Sequence, residues 1–372
     1  MGCSCSQPSI HPEESKNSSI DQVSSQKENS NPAQTEINNN NQNLQKTQNE
    51  EEGVCEHGNE EEDTIGEFFT SQDIFTNETQ AGIHAFPSFF NPDKKPLIFE
   101  YQFCEHIGKG ARSDVFRVIN TENNNVYAAK VYDKSYLFRR SIGDAEPPIT
   151  KFTREVQIMG ALNHPNCLSL VEILDDDCTN SLIMIFPFAR CGSLSPFSWK
   201  ANPLPEDQLH KIFLQVANGI QHMHSLNIIH RDIKPENILR LDEETAVISD
   251  FSASICLDDD PDELLEDTDG TPAFYSPEEC SGDAYRGKPV DIWALGMTIY
   301  VLAVGKLPFL KSDDVFIFSQ FVKIANCIMH DDINYPENLS SGLVNLLSHM
   351  LDKNPDTRYT IDQVCSDPWL SS

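Results

Sequence analysis

Asp232, Lys234 and Asn237 put an acid, a cation and an amide into one short loop, in the run Ile228-Ile229-His230-Arg231-Asp232-Ile233-Lys234-Pro235-Glu236-Asn237-Ile238-Leu239. Moving a phosphoryl group onto a hydroxyl calls for those three. The carboxylate orients the hydroxyl and takes its proton, the cation steadies the transferred group, and the amide oxygen holds a divalent ion such as Mg²⁺. A polar loop between a helix and a strand would explain any one of these residues. It does not explain the whole set at fixed offsets.

The run resembles the catalytic loop of a protein kinase, H-R-D-L-x-x-x-N, with Ile233 at the leucine position. Lysine two residues after the aspartate is the form found in serine/threonine kinases. The resemblance casts Asp232, Lys234 and Asn237 as the catalytic residues and implies ATP and Mg²⁺ as cofactors, with Asn237 and Asp250 on the metal.

The elements that must position this loop are legible on both sides of it. Tyr101 to Ile107 and Ser113 to Asn120 alternate as two strands around Gly108-Lys109-Gly110-Ala111-Arg112-Ser113. Glycines let such a hairpin approach phosphates and offer N–H groups to them. A dinucleotide fingerprint would need a helix directly after the glycines, whereas the strand Val115-Phe116-Arg117-Val118 follows. That context is similar to a kinase Gly-rich loop, with Ser113 in place of the third glycine. Val126 to Tyr132 is the next strand, and Lys130 on it needs an anionic partner. The kinase pattern sends Lys130 to the α/β-phosphates and pairs it with a helical glutamate; Glu155, in a stretch of helical period from Thr153 to Met159, is the candidate. Tyr132 to Thr150, with Arg139, Arg140, Pro147 and Pro148, reads as an exposed insert. Leu168 to Leu174 and Ser181 to Phe188 are two further strands. By the resemblance, Phe186 backs the adenine pocket, Pro187-Phe188-Ala189 is the hinge, and Ile107, Val115, Ala128 and Leu239 complete the nucleotide site.

Asp207 to Ser225 is a long amphipathic helix leading into the catalytic loop. Asp250, in Asp250-Phe251-Ser252, stands where the family has D-F-G, and Ser252 for glycine biases the loop. Residues 253–275 form an acidic activation loop. In many kinases a phosphate there pairs with the arginine before the catalytic aspartate, here Arg231. One of the loop carboxylates is expected to take that role, with phosphorylation of Thr268 as the competing idea. Thr271 is expected to bond Asp232 and Lys234, and Glu278 of Ser276-Pro277-Glu278 to be buried against Arg358. Asp291 opens an apolar helix that supports the catalytic loop from beneath.

Composition narrows the partners. Among 372 residues, 27 basic side chains face 58 acidic ones, a net charge of −31. That argues against nucleic acid and against electrostatic adhesion to anionic lipid. The eleven cysteines show no spacing of a disulfide framework and read as reduced thiols of a cytosolic protein. No apolar run approaches the roughly 18 residues that would cross a bilayer, and no secretory signal is present.

Met1-Gly2-Cys3-Ser4-Cys5-Ser6 fits the N-myristoylation pattern. One acyl chain binds membranes only marginally, and an acidic tail supplies no polybasic second signal. Cys3 and Cys5 are the natural palmitoylation sites. From there to residue 95 the chain is rich in Asn, Gln, Ser and Glu and is expected to be disordered. Cys55 and His57, within its acidic block, lack the further ligands a metal site needs. The Phe-rich segment 65–90 is a candidate docking segment for the folded domain.

These readings assemble into an α+β, two-lobed protein kinase fold. A disordered acidic tail (1–95) precedes an N-lobe with a small antiparallel sheet and one main helix (96–190) and a larger helical C-lobe (191–370). Gly-Thr-Pro-Ala-Phe at 270–274, Gly305-Lys306-Leu307-Pro308-Phe309 and Met350 to Pro355 are most similar to the calcium/calmodulin-dependent protein kinase kinases. That resemblance implies a serine/threonine kinase acting on the activation loops of downstream kinases. The acylation motif adds the expectation of a cytoplasmic enzyme held on the cytoplasmic face of a membrane by its acyl groups. The chain ends at Ser372, just past the fold, an argument against control by calmodulin. The alternative is a membrane-tethered pseudokinase scaffold, favoured by Ser113 and Ser252 but opposed by the intact set Lys130, Glu155, Asp232, Asn237 and Asp250.

Overall fold

The alternating stretches of the first half form one antiparallel sheet whose two faces are both covered. In the computed structural model, which describes residues 96–110, 113–139, 147–195, 203–257, 260, 262–309 and 321–371, the N-lobe begins with β1 (Leu97–Ile98), β2 (Tyr101–Lys109), β3 (Ser113–Asn120) and β4 (Val126–Asp133). A short helix α1 (Lys134–Leu137) and the long α2 (Pro148–Ala161) precede β5 (Glu172–Asp176) and β6 (Ser181–Pro187). The sheet order is β1-β2-β3-β4-β6-β5. Phe103, Phe116, Val118 and Ile185 fill one face, while Leu182, Met184 and Phe186 of the same β6 face α2 through Phe152, Val156 and Met159. A strand covered on both sides needs no polar alternation, so β6 reads as an apolar run.

Two expectations change here. The stretch from Tyr132 to Thr150 is not wholly an exposed insert: Tyr132 and Leu137 are buried, α1 is capped by the Asp133 carboxylate accepting from the Ser135 N–H, and α2 starts at Pro148. Proline suits a first helical position because its missing N–H would have no partner there. The strand expected from Leu168 starts only at Glu172. The Leu168 N–H is spent on the Ile248 carbonyl at 2.8 Å, which ties this segment to the C-lobe instead. The acylation motif at Gly2, Cys3 and Cys5, the tail to residue 95 with the Phe-rich segment, and Arg140 lie outside the described residues.

The C-lobe opens with α3 (Glu206–Ser225), then β7 (Ile228–Ile229), β8 (Ile238–Arg240), β9 (Ala246–Ile248), β10 (Ile255–Cys256) and β11 (Leu264–Leu265). It continues through α4 (Pro277–Ser281), β12 (Tyr285–Arg286), α5 (Gly287–Val304), α6 (Phe321–His330), α7 (Ser341–Met350), α8 (Ile361–Cys365) and α9 (Pro368–Ser371). By length and composition α5 could cross a bilayer, contrary to the sequence reading. It is a core helix instead, 83% buried, with Trp293, Leu295 and Met297 inaccessible. It begins at Gly287, so Asp291 sits one turn inside it rather than at its start. The cysteines among the described residues are free thiols.

Candidate active site

β7 delivers the chain to the catalytic loop, and a single turn of 3-10 helix, Pro235–Asn237, turns it into β8. Arg231 sits in the left-handed region at φ 67°, a conformation that costs a non-glycine residue about 1–3 kcal/mol. Asp291 offsets that cost from below. Its carboxylate, fully buried, accepts from the N–H groups of His230 and Arg231 and from the His224 ring, each at 2.9 Å. His230 then donates from Nε2 to the Ser249 carbonyl and accepts the Asp232 N–H at Nδ1, which selects its Nε2–H tautomer. The loop's shape is therefore set by α5 and by the strand-end residue Ser249.

Asp232 comes out of this frame with its carboxylate fully engaged. Lys234 Nζ lies 2.6 Å from Oδ2, Asn237 Nδ2 donates to Oδ2 at 2.9 Å and to the Asp232 carbonyl at 2.8 Å, and the Thr271 hydroxyl donates to Oδ1 at 2.7 Å. Lys234 also donates to Thr271 Oγ1 at 2.6 Å, which closes a ring of acid, cation and hydroxyl, as the sequence led one to expect. Gly270 makes this possible: at φ 106°, a Cβ there would lie 2.4 Å from the Arg231 carbonyl oxygen. Only glycine lets the activation loop come so close.

Across the cleft, Lys130 Nζ donates to Glu155 Oε1 at 2.8 Å and to Asp250 Oδ1 at 3.0 Å. The Tyr132 hydroxyl donates to the second Glu155 oxygen, a contact the sequence reading missed. Burial works against the Lys130 charge, but Glu155 and then Asp250 outweigh it and hold its pKa well above the ordinary lysine value. Burial likewise opposes the Asp250 charge, and Lys130 overcomes it, bringing that pKa down to about 2. Asp250 takes a left-handed backbone, and the Ser252 side chain hydrogen-bonds its carboxylate. The residue in the glycine position thus adds a bond rather than removing one. Lys130 and Asp250 both stay charged at neutral pH.

The expected nucleotide-lining residues lie along the same cleft. Gly108 faces Val115 across the β2–β3 hairpin, Val115 faces Lys130 on β4, and Ala128 faces the buried Phe186 on β6. Ile107, Lys109 and Gly110 are exposed at the mouth. Gly110 closes its turn by donating its N–H to the Ser113 carbonyl, and a Cβ there would meet Ser113 Oγ at 2.7 Å, so that hydroxyl would have to turn away. Ala111 and Arg112 lie outside the described residues. Leu239 sits on β8, and Ala189 offers an N–H while its carbonyl already accepts the Gly192 N–H at 3.1 Å. The adenine edge so provided is one donor with a shared acceptor. The cleft fits a metal–nucleotide: a fixed cation for phosphate, a carboxylate ionised at every ordinary pH, and an Asn237 whose amide nitrogen is spent on Asp232, leaving the amide oxygen as its acceptor.

The activation loop lies over the catalytic loop. Arg231 Nη2 meets Asp267 Oδ2 at 3.0 Å and the Asp267 carbonyl at 3.0 Å, and Lys151 of α2 meets Asp269 at 2.7 Å. Arg358 grips Glu278 with both terminal nitrogens, at 2.6 and 2.9 Å, as expected from Ser-Pro-Glu. Lys151 and the buried Asp291 escaped the sequence reading as site residues. A carboxylate in an otherwise apolar helix was a usable signal for Asp291, because a buried charge must be partnered. Lys151 carried none.

Comparison with known proteins agrees with this geometry. The protein kinase domain pattern matches residues 101–370. A calcium/calmodulin-dependent protein kinase kinase of Caenorhabditis elegans is 36% identical over 73% of this chain and 52% of its own length. Serine/threonine-protein kinase GRIK1 of Arabidopsis thaliana is 32% identical over 75% of this chain and 68% of its own. A probable serine/threonine-protein kinase of Dictyostelium discoideum is 30% identical over 75% of this chain and 39% of its own. The chain thus spans about half the length, or less, of the first and last of these.

Proposed function

The chain belongs to the protein kinase family, and from that premise we propose that it is a serine/threonine protein kinase, transferring the γ-phosphate of ATP to protein hydroxyls. The observation that carries the reading is Lys130, bonded at once to Glu155 and Asp250 while the Asp232–Lys234–Thr271 ring stands assembled across the cleft. When bound, magnesium–ATP supplies the phosphoryl donor and the metal charge that offsets its oxygens. Lys130 holds phosphate oxygens, with Glu155 and Tyr132 fixing its position. Asp250 and the Asn237 oxygen would hold the metal. Asp232 orients the incoming serine or threonine hydroxyl and accepts its proton at the carboxylate, and Lys234 steadies the charge that builds on the transferred group.

The finer reading is that the substrates are activation loops of downstream kinases. The 270–274 sequence and the similarity to a kinase kinase support it. The acylation motif supports anchoring of the enzyme to the cytoplasmic face of a membrane through Gly2, Cys3 and Cys5. Purified full chain given Mg²⁺-ATP and a serine/threonine peptide library is expected to label it, and Asp250→Asn to abolish labelling. A Gly2→Ala chain that fractionates with membranes as the parent does would sink the anchor.

A further inference from the structure

We propose that Asp267 and Asp269 are positioning residues that hold the catalytic loop and helix α2 in working order with no phosphate on Thr268. The idea rests on the kinase reading above and adds its mode of control. Arg231 adjoins Asp232, its side chain is 4% exposed, and a guanidinium so buried needs an anion. Asp267 provides it, twice over, with its carboxylate and its carbonyl. The Tyr285 hydroxyl donates to the same carbonyl at 2.6 Å, so the residue is pinned from two sides. Burial alone would weaken the Arg231 charge, and the Asp267 bonds restore it.

The second tie runs to the other lobe. Lys151 and Glu155 are four apart on α2, hence on one helix face. Lys151 takes Asp269 at 2.7 Å while Glu155 takes Lys130 at 2.8 Å. Asp269 also accepts the Gly270 N–H at 3.0 Å, next to the threonine that bonds Asp232. One carboxylate thus links the helix that fixes Lys130 to the turn that fixes Asp232. The described residues on either side are fastened by unmodified partners. β10 pairs with β7, β11 pairs with β12, and Leu257 and Leu265 pack with Ile229, Tyr285 and Val290. Thr268 is exposed and its side chain bonds Tyr275, not Arg231. The place that a loop phosphate would serve is filled by Asp267. Arg231 Nε remains without a partner, so a carboxylate serves the guanidinium less completely than three phosphate oxygens could.

The test uses the full chain, phosphatase-treated and shown by mass spectrometry to carry no phosphate on Thr268. With myelin basic protein as substrate, its kcat is expected to stay within about twofold of untreated enzyme. Asp267→Asn is expected to lower kcat about tenfold with the KM for ATP nearly unchanged, and Asp267→Glu to recover most of the loss. Amide hydrogen exchange reads the tie without turnover: Asp267→Asn is expected to speed exchange across residues 262–271 and α2. Loss of activity on removing phosphate from Thr268, or an Asp267→Asn chain unchanged in both kcat and exchange, overturns the proposal. Exchange that responds to Asp267→Asn in a chain that transfers no phosphate supports the tie and refutes the kinase reading instead.

Discussion

Arg231 is gripped by two carboxylates from opposite sides. Beneath it, Asp291 is fully buried and saturated by three donors. Above it, Asp267 has a side chain 71% exposed and holds the guanidinium from the solvent. The buried grip fixes backbone shape and cannot be let go without leaving polar groups stranded. The exposed grip acts on a side chain and leaves the backbone bonds in place: its release returns the Asp267 carboxylate to water but strands the buried guanidinium without its anion. Stability therefore resides in the first and adjustability in the second.

The largest effect should come from breaking the buried side. Asp291→Ala orphans two buried N–H groups and the His224 ring, so denaturant unfolding should show a loss of about 3 kcal/mol or more, with activity gone. A variant as stable as the parent would erase the contrast. An intermediate case sharpens it: Glu279 is buried, but its partners, the N–H and hydroxyl of Ser276, both reach one oxygen, Oε2. Burial, only partly opposed by those bonds, pushes its pKa up to about 7. A raised carboxyl pKa favours the protonated fold, so its contribution is full below the ordinary glutamate range and lost as pH rises through about 7. Melting followed between pH 5 and 8 should show the parent losing on the order of 2 kcal/mol that Glu279→Gln does not lose. The smallest effect belongs to the exposed side. Lys151→Gln should change stability by under about 1 kcal/mol. It should nonetheless lower kcat, and raising salt from about 0.05 to about 0.5 M should reproduce that loss in the parent but not in the variant.

Much of the site was readable because it rests on local spacing. Asp232, Lys234 and Asn237 are fixed to one another by a loop whose turn is set by Pro235, and Thr271 was read as their partner, whereas the need for glycine at 270 emerged only from how close the activation loop lies to Arg231. Glu155 was readable because a strand lysine demands an anion and helical period put one carboxylate within range. The start of β5 was misplaced because apolar alternation cannot reveal that Leu168 gives its N–H to Ile248. Helix α5 was not flagged as long and apolar enough to span, and only its neighbours show that it is a core element. Tyr132 read as the end of a strand, yet its hydroxyl crosses to Glu155 on another element.

By itself the sequence determined the chemistry of the cleft, the order of the strands and helices that carry it, and an activation loop rich in negative charge. Residue type and short spacing suffice for that, since they set which groups can donate, accept or ionise. Which acid of that loop meets Arg231, and that Asp269 reaches Lys151 more than a hundred residues earlier in the chain, was settled only by tertiary packing. Many carboxylates compete for two cations there on equal chemical terms. The winners are those that β11, β12 and α2 bring within 3.0 Å, because attraction between charges falls off with distance and salt and so selects only partners already held close.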